Sequence, residues 1–96
     1  MTPETVPPLV SVTSSNLAAI GYDPDTETLY VAFGRPPAAL TLYAYDNVPP
    51  AVHAALMAAP SHGTYLNAVI KADPARYPYR KLDGVPFELA VEREAA

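Results

Sequence analysis

The segment Thr28-Leu29-Tyr30-Val31-Ala32-Phe33 decides the fold, because its side chains alternate with a period of two. In an extended chain Leu29, Val31 and Phe33 fall on one face and the residues between them on the other. This pattern is typical of a strand whose one face is buried. The sequence therefore predicts a strand over Thr28–Phe33.

Two further strands are predicted on either side of this segment. Leu17–Tyr22 is short and apolar, and Leu40–Tyr45 alternates so that Tyr43 and Tyr45 share a face. The connections to the central strand are short and contain proline, which fixes its own φ and removes a hydrogen-bond donor. Strands joined by such short links pair as antiparallel hairpins.

The period changes after Pro49 and Pro50, which are tolerated in the first turn of a helix. Residues 51–59 are strong helix formers, and Pro60 ends that helix. Ser61 is a suitable N-cap for a second helix, which we expect to end near Asp73-Pro74. The two helices are short, and we expect both to pack on one face of the sheet.

An antiparallel sheet of three to four strands carrying two short helices is an α+β fold. Its expected core consists of apolar residues from both layers: Ile20, Leu29, Val31, Phe33, Leu42, Val52, Leu56, Leu66 and Ile70. Leu9–Val12 is a candidate short strand, and Tyr77–Leu82 is expected to run extended. Near the C-terminus, the alternation of Val85, Phe87, Leu89 and Val91 predicts a fourth strand within an extension over residues 83–96.

Composition limits the class of function. The chain has 96 residues, 12 prolines and no cysteine, which excludes disulfides and thiolate metal sites. Six basic against ten acidic residues give a net charge of −4, so bulk charge does not attract nucleic acid or anionic membrane. No apolar run approaches the length of a membrane span, and residues 1–13 form a polar, proline-containing arm. We expect a soluble, cytoplasmic, single-domain protein without a membrane partner.

Catalytic and metal-binding constellations are weak. His53 and His62 have no carboxylate at helical spacing, and a zinc site needs four ligands. Adjacent Ser61 and His62 cannot adopt triad geometry, so a helix cap beside a surface histidine is the simpler interpretation. The sequence therefore predicts no enzyme, no metal and no cofactor.

Several blocks of the sequence resemble the KTSC domain, a family named for its occurrence at the C-terminus of some lysyl-tRNA synthetases. The blocks are Ser14–Leu17, Ile20–Asp23, Leu29–Phe33, Tyr43–Tyr45, Asn47–Pro49, Ser61–Asn67, Ile70–Lys71 and Tyr77–Leu82. Tyr43 and Tyr45 correspond to the central Tyr-x-Tyr of the family. The resemblance spans residues 14–82 and implies a small bacterial or phage protein; RNA binding is the role usually suggested for the family.

A local concentration of positive charge supplies a candidate site. Four of the six basic residues fall within residues 71–81, interrupted by one acid, Asp73. Cations interleaved with aromatic rings suit single-stranded RNA, since the cations neutralise phosphates and the rings stack on bases. The predicted site comprises Lys71, Arg76, Tyr77, Tyr79, Arg80 and Lys81. Tyr43 and Tyr45 offer a second stacking surface.

Structural roles for the same residues remain open. Strand tyrosines often pack under a helix with their hydroxyls at the rim, and Arg80 is also suited to tie its segment to the body through a carboxylate. The alternative function is a structural or regulatory protein-interaction module, phage or bacterial. It would act by strand addition or self-association through Phe87–Val91. A phage protein of either kind would work in the host cytoplasm.

Overall fold

The structure is a computed structural model, and it describes residues 6–12, 17–34, 40–82 and 87–90. The strands are β1 (Leu9–Ser11), β2 (Leu17–Asp23), β3 (Thr28–Phe33), β4 (Thr41–Tyr45), β5 (Tyr79–Lys81) and β6 (Leu89–Ala90). The helices are α1 (Pro50–Ala58) and α2 (His62–Tyr65), and α2 continues into a π-helical segment, Leu66–Lys71. Residues 1–5 of the predicted arm, and Val85 and Val91 of the predicted last strand, lie outside the described residues.

The six strands form one sheet in the order β5-β4-β3-β2-β1-β6. Neighbours are antiparallel except for β1 and β6, which are parallel. The α+β class and the three predicted central strands are confirmed. The predicted count of three to four strands was too low, since the sheet also includes β1, β5 and β6. The strands β1 and β5 have only three residues each. Strands that short display no sequence period and are defined by their pairing with β2 and β4.

The register of β3 with β4 gives the sheet two buried faces. Val31 lies opposite Tyr43, and Ala32 lies opposite Leu42. Since side chains on paired strands share a face, Val31 and Tyr43 lie on the helix side, whereas Leu42 lies on the other side. The prediction that Leu42 is a core residue is confirmed, and the structure places it in a second core cluster with Tyr30, on the face away from the helices.

The helix-side core unites the sheet with both helices. It contains Leu17, Ile20, Leu29, Val31, Tyr45, Val48, Leu56, Leu66, Ile70 and Tyr77. Of the residues predicted for this core, Phe33 and Val52 are only half-buried at its margin. The prediction of two short helices on one face is confirmed.

The helices begin and end where the sequence signals them. Pro50 occupies the first turn of α1. The Ser61 side chain caps α2 by accepting a hydrogen bond from the Thr64 amide at 3.3 Å. No helix in the described part of the chain is both long and apolar enough to cross a bilayer.

The strands β1 and β6 extend the sheet beyond β2. Leu9 is completely buried, and a Cβ at position 21 would overlap its Cδ2 atom, so any residue larger than Gly21 would force the Leu9 side chain to move. The Leu9 amide donates to the Glu88 carbonyl at 2.9 Å. Within residues 87–90, Leu89–Ala90 forms a strand that pairs with β1 of the same sheet, whereas Phe87 and Glu88 precede it outside regular structure.

Truncating the central core residue of α1 tests the assignment of helix faces. Leu56 is fully buried, so Leu56→Ala removes its contacts with the sheet and leaves a cavity. We expect a loss of about 2–5 kcal/mol in the free energy of unfolding, measured by urea denaturation. The control is Ala54→Ser, at an exposed position of the same helix. A loss below about 0.5 kcal/mol for Leu56→Ala would contradict the assignment.

Deleting the chain after Gly84 tests the role of β6. The deletion removes the Glu88 carbonyl, which accepts the hydrogen bond from the buried Leu9 amide. It also removes Phe87, which is half-buried against the core cluster that contains Leu9, Tyr30 and Leu42. An unsatisfied buried amide costs about 1–3 kcal/mol, so we expect a lower melting temperature or association through the exposed edge. Unchanged melting temperature and unchanged mass in solution would show that the extension is dispensable. Phe87→Ala separates the loss of packing from the loss of pairing.

Candidate functional site

An open cleft of about 550 Å³ lies on the helix side of the sheet, at the end formed by β4 and β5. One wall is the sheet surface. The other wall is the end of the π-helical segment and the turn that follows it. The lining residues are Phe33, Thr41, Tyr43, Tyr45, Ile70, Lys71, Pro74, Tyr77 and Tyr79.

Strand register assembles the aromatic wall. β5 pairs with β4 so that Tyr79 lies opposite Tyr45 and Lys81 lies opposite Tyr43. The Tyr79 ring centroid lies 6.0 Å from the centroids of both Tyr43 and Tyr45. The Phe33 ring meets Tyr43 edge-on at 5.5 Å. Four rings from three adjacent strands therefore form one continuous aromatic surface, which we call the aromatic wall.

The tyrosines of the cleft differ in how much of each ring is available. Tyr79 is 59% exposed and Tyr43 is half-buried, whereas Tyr45 and Tyr77 are buried members of the core. Burial, with smaller contributions from Tyr43 and Tyr79, raises the pKa of Tyr45 to about 12. The Tyr45 hydroxyl therefore stays neutral at physiological pH. The ring faces open to a ligand belong to Tyr79 and Tyr43.

The opposite wall carries a lysine. Ile70 is buried in the core, and the next residue, Lys71, is exposed. The Lys71 ammonium lies 5.3 Å from the centroid of the Phe33 ring, within the range of a cation–π contact. The two walls therefore meet at Lys71, where a positive charge stands beside the aromatic wall.

The turn after the π-helical segment is held by local and tertiary hydrogen bonds. The Arg76 amide donates to the Asp73 side chain at 3.3 Å, and the Asn47 side-chain amide donates to the Arg76 carbonyl at 3.4 Å. Asn47 adopts φ 63°, a left-handed conformation that asparagine tolerates better than most residues. The Arg76 guanidinium lies 5.5 Å from the Tyr77 ring centroid. Arg76 therefore flanks the cleft beyond Tyr77 and does not line it.

The structure separates Arg80 from the other predicted site residues. Alternation within β5 places Tyr79 and Lys81 on the cleft side and Arg80 on the opposite side. The Arg80 Nη1 atom lies 2.6 Å from Asp46 Oδ2, and the Asp46 amide donates to the Pro78 carbonyl at 2.8 Å. Both contacts fasten β5 to the end of β4. Both partners of the ion pair remain partly exposed to solvent.

Four lining residues were absent from the predicted site: Phe33, Thr41, Ile70 and Pro74. Phe33 and Thr41 are register partners in β3 and β4, and each shares its strand face with Tyr43. The period-two pattern contained that signal, since Thr41, Tyr43 and Tyr45 alternate together. The position of Pro74 opposite the sheet depends on the path of the turn, for which the sequence carries no comparable signal.

The two histidines have local structural contacts. The His53 ring stacks on Tyr22 with a centroid distance of 4.4 Å, and burial lowers the pKa of His53. The His62 Nδ1 atom lies 2.9 Å from the Leu56 carbonyl oxygen. Within the described ranges, no three histidine, aspartate or glutamate side chains come together in a group able to hold a metal ion.

Comparison with known proteins places this architecture in a family. The model of the KTSC domain family matches residues 13–77, which include β2 to β4, both helices and the π-helical segment. An uncharacterized protein from Stutzerimonas stutzeri (strain A1501) is 40% identical over 74 residues, covering 77% of this chain and 96% of that protein.

A solved structure agrees with the match. The crystal structure of a KTSC domain protein from Yersinia pestis superimposes with a TM-score of 0.64 and 35% sequence identity, covering 77% of this chain and 94% of that chain. The family match contains Tyr43, Tyr45, Lys71 and Tyr77 of the cleft and ends just before β5, which contributes Tyr79. The family match over residues 13–77 and the similarity to the solved KTSC domain structure show that this chain belongs to the KTSC domain family.

Proposed function

We propose that this protein is a non-enzymatic binding module that holds single-stranded RNA in the cleft between β4–β5 and the π-helical segment. The observation that carries the proposal is the exposed Tyr79 ring beside the half-buried Tyr43 ring, with Lys71 on the facing wall. Aromatic rings stack on nucleobases whatever the base, and a neighbouring cation neutralises the phosphate. The cleft offers both groups within one open site.

The charge distribution supports an anionic ligand at this site. Lys71 lines the cleft, and Lys81 lies on the same face of the sheet opposite Tyr43. Arg76 stands at the far end beside Tyr77. The net charge of −4 acts weakly here, because solvent-exposed charges farther than about 8–10 Å away are screened at physiological salt. The cations near the cleft therefore contribute more than the net charge of the chain to the field that a bound phosphate meets.

The other predicted site residues take supporting roles in this proposal. Tyr45 and Tyr77 are buried beneath the cleft and keep the walls in place. Arg80 lies on the other face of the sheet and stabilises β5 through Asp46. Arg80 is therefore assigned to positioning Tyr79 and not to contact with phosphate.

Protein interaction through Phe87–Val91 is the second candidate. The sheet order places β6 at one edge, and an edge strand is able to accept a further strand from a partner or a second copy. The pairing of β6 with β1 satisfies one side of that segment within the chain. The two proposals use opposite ends of the sheet, so mutations at one end leave the other intact.

Substitutions in the cleft test RNA binding directly. Tyr79→Ala removes the exposed stacking ring and is expected to cost about 1–3 kcal/mol of binding free energy. Tyr79→Phe keeps the ring and is expected to bind like the native protein. The measurement is fluorescence anisotropy of a labelled single-stranded RNA octamer at low salt. No binding by the native protein near 100 μM, within the usual range of non-specific affinities, would overturn the proposal.

Lys71, which lines the cleft, and Arg80, on the face of β5 away from the cleft, provide a matched pair of cation variants. If Lys71, the cation that lines the cleft, neutralises one phosphate, log affinity against log salt has a slope of about −0.7. Lys71→Ala is expected to weaken binding to all sequences and to flatten the slope by about 0.7. Arg80→Ala is expected to lower the melting temperature while leaving the slope unchanged. A flatter slope for Arg80→Ala than for Lys71→Ala would show that the phosphates bind on the Arg80 face of β5, and would contradict binding in the cleft.

A further inference from the structure

We infer that the cleft recognises a segment of at most two nucleotides and does not bind a long strand along the sheet. This inference rests on the proposed function and specifies the size of its ligand. Three features of the cleft set this limit: which ring faces are free, how the rings are oriented and how large the cleft is.

Burial limits the number of bases that can stack. Tyr45 is 3% exposed and Tyr77 is 4% exposed, so neither ring has a free face. Phe33 is half-buried, and Lys71 occupies the space over its ring. Tyr79 and Tyr43 remain as the two rings that a base can cover.

The orientation of the rings gives the same limit. The Tyr43 and Tyr79 rings are inclined at 48°, and the Phe33 and Tyr43 rings at 85°. Consecutive stacked bases lie nearly parallel, so these rings do not form one flat platform for a continuous stack. One base on Tyr79 and the next against Tyr43 must splay apart, as bases do at the end of an RNA or in a loop.

The volume and charge of the cleft agree with a short ligand. A cleft of about 550 Å³ is of the size that holds a small-molecule ligand. Among the described residues, Lys71 is the one cation that lines it. A single lysine matches the phosphate that joins two nucleotides, whereas a long strand requires a groove of cations along its path.

A length series tests this inference. Unlabelled adenylate oligomers of one, two, three, four and eight nucleotides compete with a labelled octamer for the native protein. We expect a gain of about tenfold from one nucleotide to two, as a second base stacks. From two to eight nucleotides we expect a gain in affinity of about sevenfold, because a two-nucleotide site has seven possible positions along an octamer.

Matched variants assign the two positions. Tyr79→Ala is expected to abolish the gain between one and two nucleotides, whereas Tyr79→Phe retains it. A continued gain of about tenfold per nucleotide up to four or more would overturn the two-nucleotide limit and leave RNA binding standing. Failure of the octamer itself to bind would overturn the proposed function as well, so the two failures are distinguishable.

Discussion

The pairing of β3 with β4 is the constraint on which the rest of the structure depends. The register that sets Val31 against Tyr43 and Leu29 against Tyr45 directs apolar and aromatic side chains toward the helices together. Leu29, Val31 and Tyr45 then bury against Leu56 and Ile70, while Tyr43 extends toward the open end of the sheet. A shift by one residue would exchange the two faces and remove the aromatic wall altogether.

The contacts that hold β5 beside β4 place Tyr79 in the cleft. A three-residue strand at an edge has few hydrogen bonds of its own, and the Arg80–Asp46 ion pair and the Pro78 carbonyl hold it at its outer end. Since Tyr79 is the exposed ring of the cleft, contacts on one face of β5 support binding on the other. A partly exposed ion pair contributes up to about 1 kcal/mol to stability, and this one also fixes the position of Tyr79.

Much of the fold could be predicted because alternation and proline placement act locally. Thr28–Phe33 and Leu40–Tyr45 show their period in the sequence, and Pro50 and Ser61 mark the two helix starts. The short strands β1 and β5 were harder to predict, because they are too short to show a period in the sequence and form by pairing with β2 and β4. Leu42 was correctly predicted to be buried, but alternation alone does not tell which face of its strand meets the helices; the register with β3 and the packing place Leu42 on the other face.

The site was predicted in part. The sequence singles out segment 71–81 for its cations and tyrosines, and Lys71, Tyr77 and Tyr79 of that segment line one cleft. The separation of Arg80 from Tyr79 follows from strand geometry and becomes visible only once β5 is known to be a strand. The contribution of Pro74 depends on the path of the turn after the π-helical segment, which no local pattern encodes.

The most direct test of the central claim is an NMR titration of the ¹⁵N-labelled full chain with an unlabelled single-stranded RNA octamer. If the cleft is the binding site, the largest amide shifts fall at Tyr43, Lys71 and Tyr79, while Asp46 and residues 87–90 change little. Largest shifts at residues 87–90, or no shifts at a protein concentration near 100 μM and low salt, would contradict the account.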